Sequence, residues 1–125
     1  MQQGQVQAAA DAYRELVQAH PHLADAWYNL GYLLRRLGDA TAALDAYAQA
    51  LRQGGDAPEQ IHLNRAGILG DDLQRPVQAA QELRRALALR PGYAPALLNL
   101  GNLHEELGER GPAVAAYRQL LAGRD

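Results

Sequence analysis

Four histidines, His20, His22, His62 and His104, are the side chains best suited to hold a metal or move a proton near neutral pH. His20 and His22 flank Pro21, which suits a turn, and no third ligand lies near them in sequence. A zinc site needs three or four converging ligands, so the pair reads as solvated turn histidines. His104 reads as a packed or half-buried imidazole. The chain has no Cys, no Ser and a single Thr, Thr41. Thiolate and serine nucleophiles are therefore excluded. A phosphate loop, a Gly-x-Ser-x-Gly elbow and an HExxH helix are also absent. The expectation is a protein without catalysis, metal or cofactor, whose chemistry lies in charged and aromatic surface.

The elements that present this surface are set by composition. The 125 residues are 48% apolar and 21% charged, enough to bury the core of one domain. Ala occurs 25 times and Leu 21 times, Phe not at all and Trp once. Strong helix formers dominate and strand formers are scarce, so an all-α fold is expected. A net charge of −2 argues against a nucleic-acid partner. No apolar run approaches the roughly 18–20 residues that span a bilayer, and the opening residues lack a signal-peptide pattern. No membrane contact and a cytoplasmic location are expected. All 12 basic residues are Arg, the mark of a GC-rich bacterial genome.

The chain also repeats itself. Residues 26–51 align with 96–121 with 12 of 26 positions identical, including Asn29/Asn99, Gly31/Gly101, Gly38/Gly108 and Tyr47/Tyr117. The offset of 70 leaves room for a middle copy. Leu63, Ala66, Gly67, Ala79, Leu83, Ala86 and Pro91 supply it, with Gly67 placed in phase with Gly31 and Gly101. A period near 34 in a helical sequence means stacked helix–turn–helix units. Glycine inside a helix costs about 1 kcal/mol relative to Ala, so its recurrence implies close approach of a neighbouring helix. Seven helices are expected at 5–19, 24–37, 40–53, 59–72, 75–89, 94–107 and 110–122. The middle copy gains two residues, placed around Gly54–Pro58.

At these positions the chain resembles the tetratricopeptide repeat (TPR) family, with Trp27, Leu30, Gly31, Leu34, Ala43, Tyr47 and Ala50 filling one full copy of its pattern. The resemblance implies a right-handed helix–turn–helix solenoid, a single array over 1–125. Its parts are the second helix of a partial repeat at 1–22 and repeats at 24–57, 58–93 and 94–125, the last without a capping helix. It further implies a protein-interaction scaffold whose concave groove takes a peptide or protein segment. By position, the groove residues are Tyr28, Tyr32, Arg35, Arg36, Asn64, Ile68, Asp71, Asp72, Leu98, Asn102, Glu105 and Glu106, with Ile61 nearby. The Lys, Asn and Arg clamp with which cochaperone members hold a terminal carboxylate is not matched.

Charge narrows the expected ligand. Arg35-Arg36 suits the C-terminal end of its helix, whereas Asp71-Asp72 and Glu105-Glu106 oppose the helix dipole at theirs. That conflict points either to an acidic groove end and a basic ligand, or to carboxylates that pair with Arg35, Arg36, Arg75 or Arg110 between repeats. The alternative function is self-assembly. Terminal units lack polar caps, which leaves Tyr13, Val114, Tyr117 and Leu121 for a homo-oligomer or a helix-swapped dimer.

Overall fold

The structure, a computed structural model, describes residues 2–123. Among them are seven helices and no strand: α1 (Gln3–Ala19), α2 (Ala24–Arg36), α3 (Ala40–Arg52), α4 (Pro58–Gly67), α5 (Pro76–Leu89), α6 (Ala94–Glu106) and α7 (Arg110–Ala122). A π-helical turn, Ile68–Asp72, continues α4. The expected all-α helix–turn–helix fold is what the chain adopts. It divides into two compact units, the boundary falling after Ile61.

In the first unit, α1 turns Val6, Ala10 and Val17 inward and packs on α2. The loop between them is tied by Trp27, whose Nε1–H donates to the Pro21 carbonyl at 2.8 Å. Asn29 Nδ2 donates to the Tyr13 hydroxyl across the same helix pair at 3.3 Å. In the α2–α3 hairpin the Tyr47 ring lies over Gly31. A Cβ on residue 31 would stand 3.0 Å from the ring. The glycine thus permits the close approach its helix cost implied. The turn reverses at Gly38, φ +85°, a left-handed conformation natural to glycine. The Asp39 N–H closes the turn on the Leu34 carbonyl at 2.9 Å. The Asp39 carboxylate accepts the Ala42 N–H at 3.2 Å and caps α3.

In the second unit the α6–α7 hairpin repeats this plan. Tyr117 covers Gly101, where a Cβ would stand 2.8 Å from Cδ1 and Cζ. Gly108 turns at φ +76°, and the Glu109 N–H closes on the His104 carbonyl at 2.8 Å. Pro76 and Pro95 sit in first turns, where the missing N–H has no helical partner to lose.

The middle hairpin departs from the plan. Buried positions on the first helices recur 35 residues apart: Ala26, Ile61, Ala96; Leu33, Ile68, Leu103; Leu34, Leu69, His104. Buried positions on the second helices fall at Ala43, Ala79, Ala113, which are 36 and then 34 apart. One extra residue therefore lies between Leu69 and Ala79, in the π turn. The closing bond confirms it, since the Arg75 N–H reaches back six residues to the Leu69 carbonyl at 2.7 Å instead of five. A second extra residue lengthens the start of α4, where Ile61 stands four positions past Ala57. Ala26 and Ala96 stand only three past Leu23 and Tyr93. The surplus thus sits inside Pro58–Asp72 and not in the Gly54–Pro58 stretch where it was expected. Gly67 accordingly falls one residue out of phase, and Ala66 takes the register of Gly31 and Gly101.

Candidate protein-interaction surfaces

In the first unit, Tyr32 is exposed on α2, one turn before Arg36. The Arg36 Nη1–H donates to the Tyr32 hydroxyl at 3.1 Å, and its guanidinium lies 5.7 Å from the ring centroid. Tyr28 is half-buried, edge-on to Tyr47 with centroids 5.5 Å apart, and Arg35 is half-buried. The face is aromatic and cationic.

In the second unit, Asp71, Asp72, Leu98, Asn102, Glu105 and Glu106 are exposed and Asn64 is half-buried. Ile68 is not part of this surface. It is 0% exposed, because it stands 35 residues from Leu33 and from Leu103 and shares their interior register. Ile61 is likewise buried, at the register of Ala26 and Ala96. The expected apolar strip therefore reduces here to Leu98, which is 46% exposed.

A cleft lies between the π turn and helices α5 and α6. Its volume is about 260 Å³, and its lining includes Gly67, Gly70 and Asp71 from the turn, Ala79 and Leu83 from α5, and Asn99, Asn102 and Glu106 from α6. At a period of 35, Gly67 matches Tyr32 and Asn102, and Gly70 matches Arg35 and Glu105. Two outward positions one turn apart thus carry side chains in the other repeats and none here. Asp71, matching Glu106, supplies one carboxylate to the lining and Glu106 the other. Among the described residues no basic side chain lines the cleft. Asp72 is not among the lining residues.

Two sets of residues read separately from the sequence meet on α6 and α7. The Tyr117 hydroxyl donates to Asn102 Oδ1 at 2.8 Å. Its pKa is raised, first by desolvation and then by the neighbouring Glu105 carboxylate. Beside it a hollow of about 360 Å³ is lined by Glu105, Gly108, Arg110, Ala113, Val114 and Tyr117. Val114 and Leu121 are 40% and 58% exposed, while Tyr13 on α1 is half-buried.

One polar cluster has no counterpart in the sequence expectations. Glu82 of α5 is a buried carboxylate, its side chain 4% exposed. His62 Nδ1–H donates to its Oε2 at 2.6 Å, and Arg65 Nε–H and Arg85 Nη1–H donate to its Oε1 at 2.9 and 3.3 Å. Burial pushes the Glu82 carboxyl up, but hydrogen bonds from His62 and Arg65, with the Arg65 charge, outweigh it and hold the pKa below its ordinary value. A signal was available. Glu82 lies three residues past Ala79 and four before Ala86, on the interior stripe of α5. His104 is buried as expected, its Nδ1–H donating to Glu109 Oε1 at 2.9 Å. His20 and His22 stand edge to face at 6.0 Å in the exposed turn after α1. Among the described residues no helix is long and apolar enough to cross a membrane.

The tetratricopeptide repeat profile matches this sequence over residues 1–58 and 65–125. The chain belongs to the tetratricopeptide repeat family. Its TPR sequence is 32% identical over 127 residues to the cellulose synthase 2 operon protein C of Komagataeibacter xylinus, covering 98% of this chain. The chain spans only 9% of the length of that relative. The fold is similar to a crystal structure of MamA, with a TM-score of 0.84 at 22% identity over 97% of this chain and 70% of that one. It is also similar to a TPR protein from Parabacteroides merdae, with a TM-score of 0.87 at 24% identity over 97% of this chain and 48% of that one. TPR repeats generally mediate protein–protein interaction.

Proposed function

We propose that this TPR chain is a non-catalytic interaction scaffold, and that the α4–α6 face of its second unit receives a basic peptide segment. The supporting observation is the cleft that gathers Asp71 and Glu106 with the carboxamides Asn99 and Asn102, and no basic residue among the described ones, next to the exposed Leu98. Complementary charge steers and selects a partner, while Leu98 offers apolar contact. Prefolded helices hold these groups in place before binding, which lowers the ordering cost. Fluorescence anisotropy with labelled peptides of opposite charge tests this. Basic peptides should bind, and their affinity should fall as salt is raised; equal or absent binding of both sets overturns the reading.

A second reading, self-assembly, is favoured by one further observation. Val114, Tyr117 and Leu121 each lie 104 residues after Ala10, Tyr13 and Val17, the positions α1 turns toward α2. In this reading α7 of one copy takes the place of α1 on α2 of a second copy, giving a helix-swapped oligomer. Light scattering on the full chain should show mass rising with concentration and falling back in Leu121→Arg. A concentration-independent monomer would dismiss it.

A further inference from the structure

We infer that the π turn forms a slot for one arginine side chain of the bound segment, with Gly70 as the residue that keeps it open. This rests on the proposal that the second unit binds a basic peptide. Size is the first argument. Pockets for small organic ligands run from about 300 to 1,000 Å³, and this cleft of about 260 Å³ suits a single long side chain.

The second argument is the origin of the space. Where the other repeats place Tyr32 and Arg35, or Asn102 and Glu105, the middle repeat places Gly67 and Gly70. Ile68 faces the interior, and these two glycines stand on the wall of the cleft. π turns often mark functional sites, because they re-aim residues without breaking the helix. The glycine at 70 is not demanded by the backbone. Its φ is not positive, and a Cβ there would meet the Ala79 Cβ at an ordinary 3.5 Å. A side chain at 70 would therefore project toward a lining residue of the cleft, and its absence is what preserves the space.

The third argument is the chemistry of the wall. Two carboxylates and two carboxamide oxygens suit a planar group with five N–H donors better than a point charge. Asn102 Oδ1 is held by the Tyr117 hydroxyl and retains a second lone pair. Guanidinium is thus preferred over ammonium, and both over a neutral isostere.

The test uses the full chain and fluorescein-labelled alanine-rich peptides carrying Arg flanked by Arg, or the same peptides with the central Arg changed to Lys or citrulline. Citrulline keeps the shape and removes the charge. The central Arg should bind at least tenfold more tightly than citrulline, with Lys between them. Gly70→Leu should lose about tenfold for the Arg peptide while its circular dichroism and melting temperature match wild type. Asp71→Asn with Glu106→Gln should erase the Arg preference, so a folding defect in either variant leaves the other to decide. If Gly70→Leu, folded, binds the Arg peptide as wild type does, or citrulline binds as tightly as Arg, the slot is refuted while basic-peptide binding stands. If no peptide binds the wild type, both fail together.

Discussion

The α6–α7 and α4–α5 hairpins hold their helices together in opposite ways. In α6–α7 an aromatic ring covers a glycine, and the turn closes through a left-handed glycine at 108. In α4–α5 a buried carboxylate gathers three donors, and the turn is widened by a residue. Leu83 stands where Tyr117 would, and Gln74 adopts φ +56° where Gly108 would. Close apolar packing fixes helix separation, and the α2–α3 hairpin uses the same device. The polar clasp instead ties α5 to the first two turns of α4 and leaves the end of that helix free to take a different register. The hairpin that departs from the repeat is the one that opens the cleft.

The contrast can be broken most directly at Glu82. Glu82→Ala leaves His62 and Arg65 without their acceptor and is expected to cost about 3 kcal/mol in denaturant unfolding, the low end for a broken buried pair because both donors retain some solvent. A loss within about 0.5 kcal/mol would show that the clasp is incidental. The same group sets an acid limb. Its folded-state pKa is lowered, so its contribution is fully present above the ordinary carboxylate value of 4.5 and is lost as pH falls through the folded value. Glu82→Gln should flatten the part of the stability–pH curve below 4.5, and an unchanged slope would contradict the assignment.

Glycine positions sharpen the other side of the comparison. Gly31→Ala forces a methyl against Tyr47, which is enclosed and cannot swing away, and should destabilise by about 1–2 kcal/mol. Gly101→Ala makes the closer contact, but the Tyr117 ring is half-exposed and can move. Its cost should stay below about 1 kcal/mol, with the Asn102 hydrogen bond lost; paired thermal melts give the order. The smallest effect is expected at the widened turn. Gln74→Gly relieves a left-handed non-glycine residue, and should stabilise by about 0.5 kcal/mol after the added freedom of the unfolded chain is subtracted. Destabilisation instead would show that the bond from Gln74 Nε2 to the Asp71 carbonyl outweighs the strain.

How much of this was legible follows the same division. The α2–α3 and α6–α7 hairpins announce themselves in sequence, because Gly31, Gly38, Tyr47 and their counterparts are fixed by short-range geometry. A glycine under a ring, and a glycine in a left-handed turn, leave marks at set spacing. The middle repeat lacks them. Two extra residues in a 36-residue interval can be placed in many ways, and the plausible choice near two glycines and a proline sent Ile68 to the surface and Gly67 into phase. Only the packing of Ile68 and Leu69 fixes where the register slips. Asp71, Asn102 and Glu106 were found by position within the repeat, but the cleft that joins them also needs Gly67 and Gly70 to stand where the other repeats carry side chains. Glu82 was legible in principle as an acid on an apolar stripe, yet two of its three donors, His62 and Arg65, lie 20 and 17 residues away on another helix.

The indole that bonds Pro21 has a practical value. It belongs to the sole tryptophan of the sequence, and it stands at the seam where the first helix meets the second. Emission from this one fluorophore therefore reports detachment of the N-terminal helix, by red shift and quenching as Nε1–H exchanges its carbonyl for water. Peeling of that segment can be timed separately from loss of total helicity, with no label added.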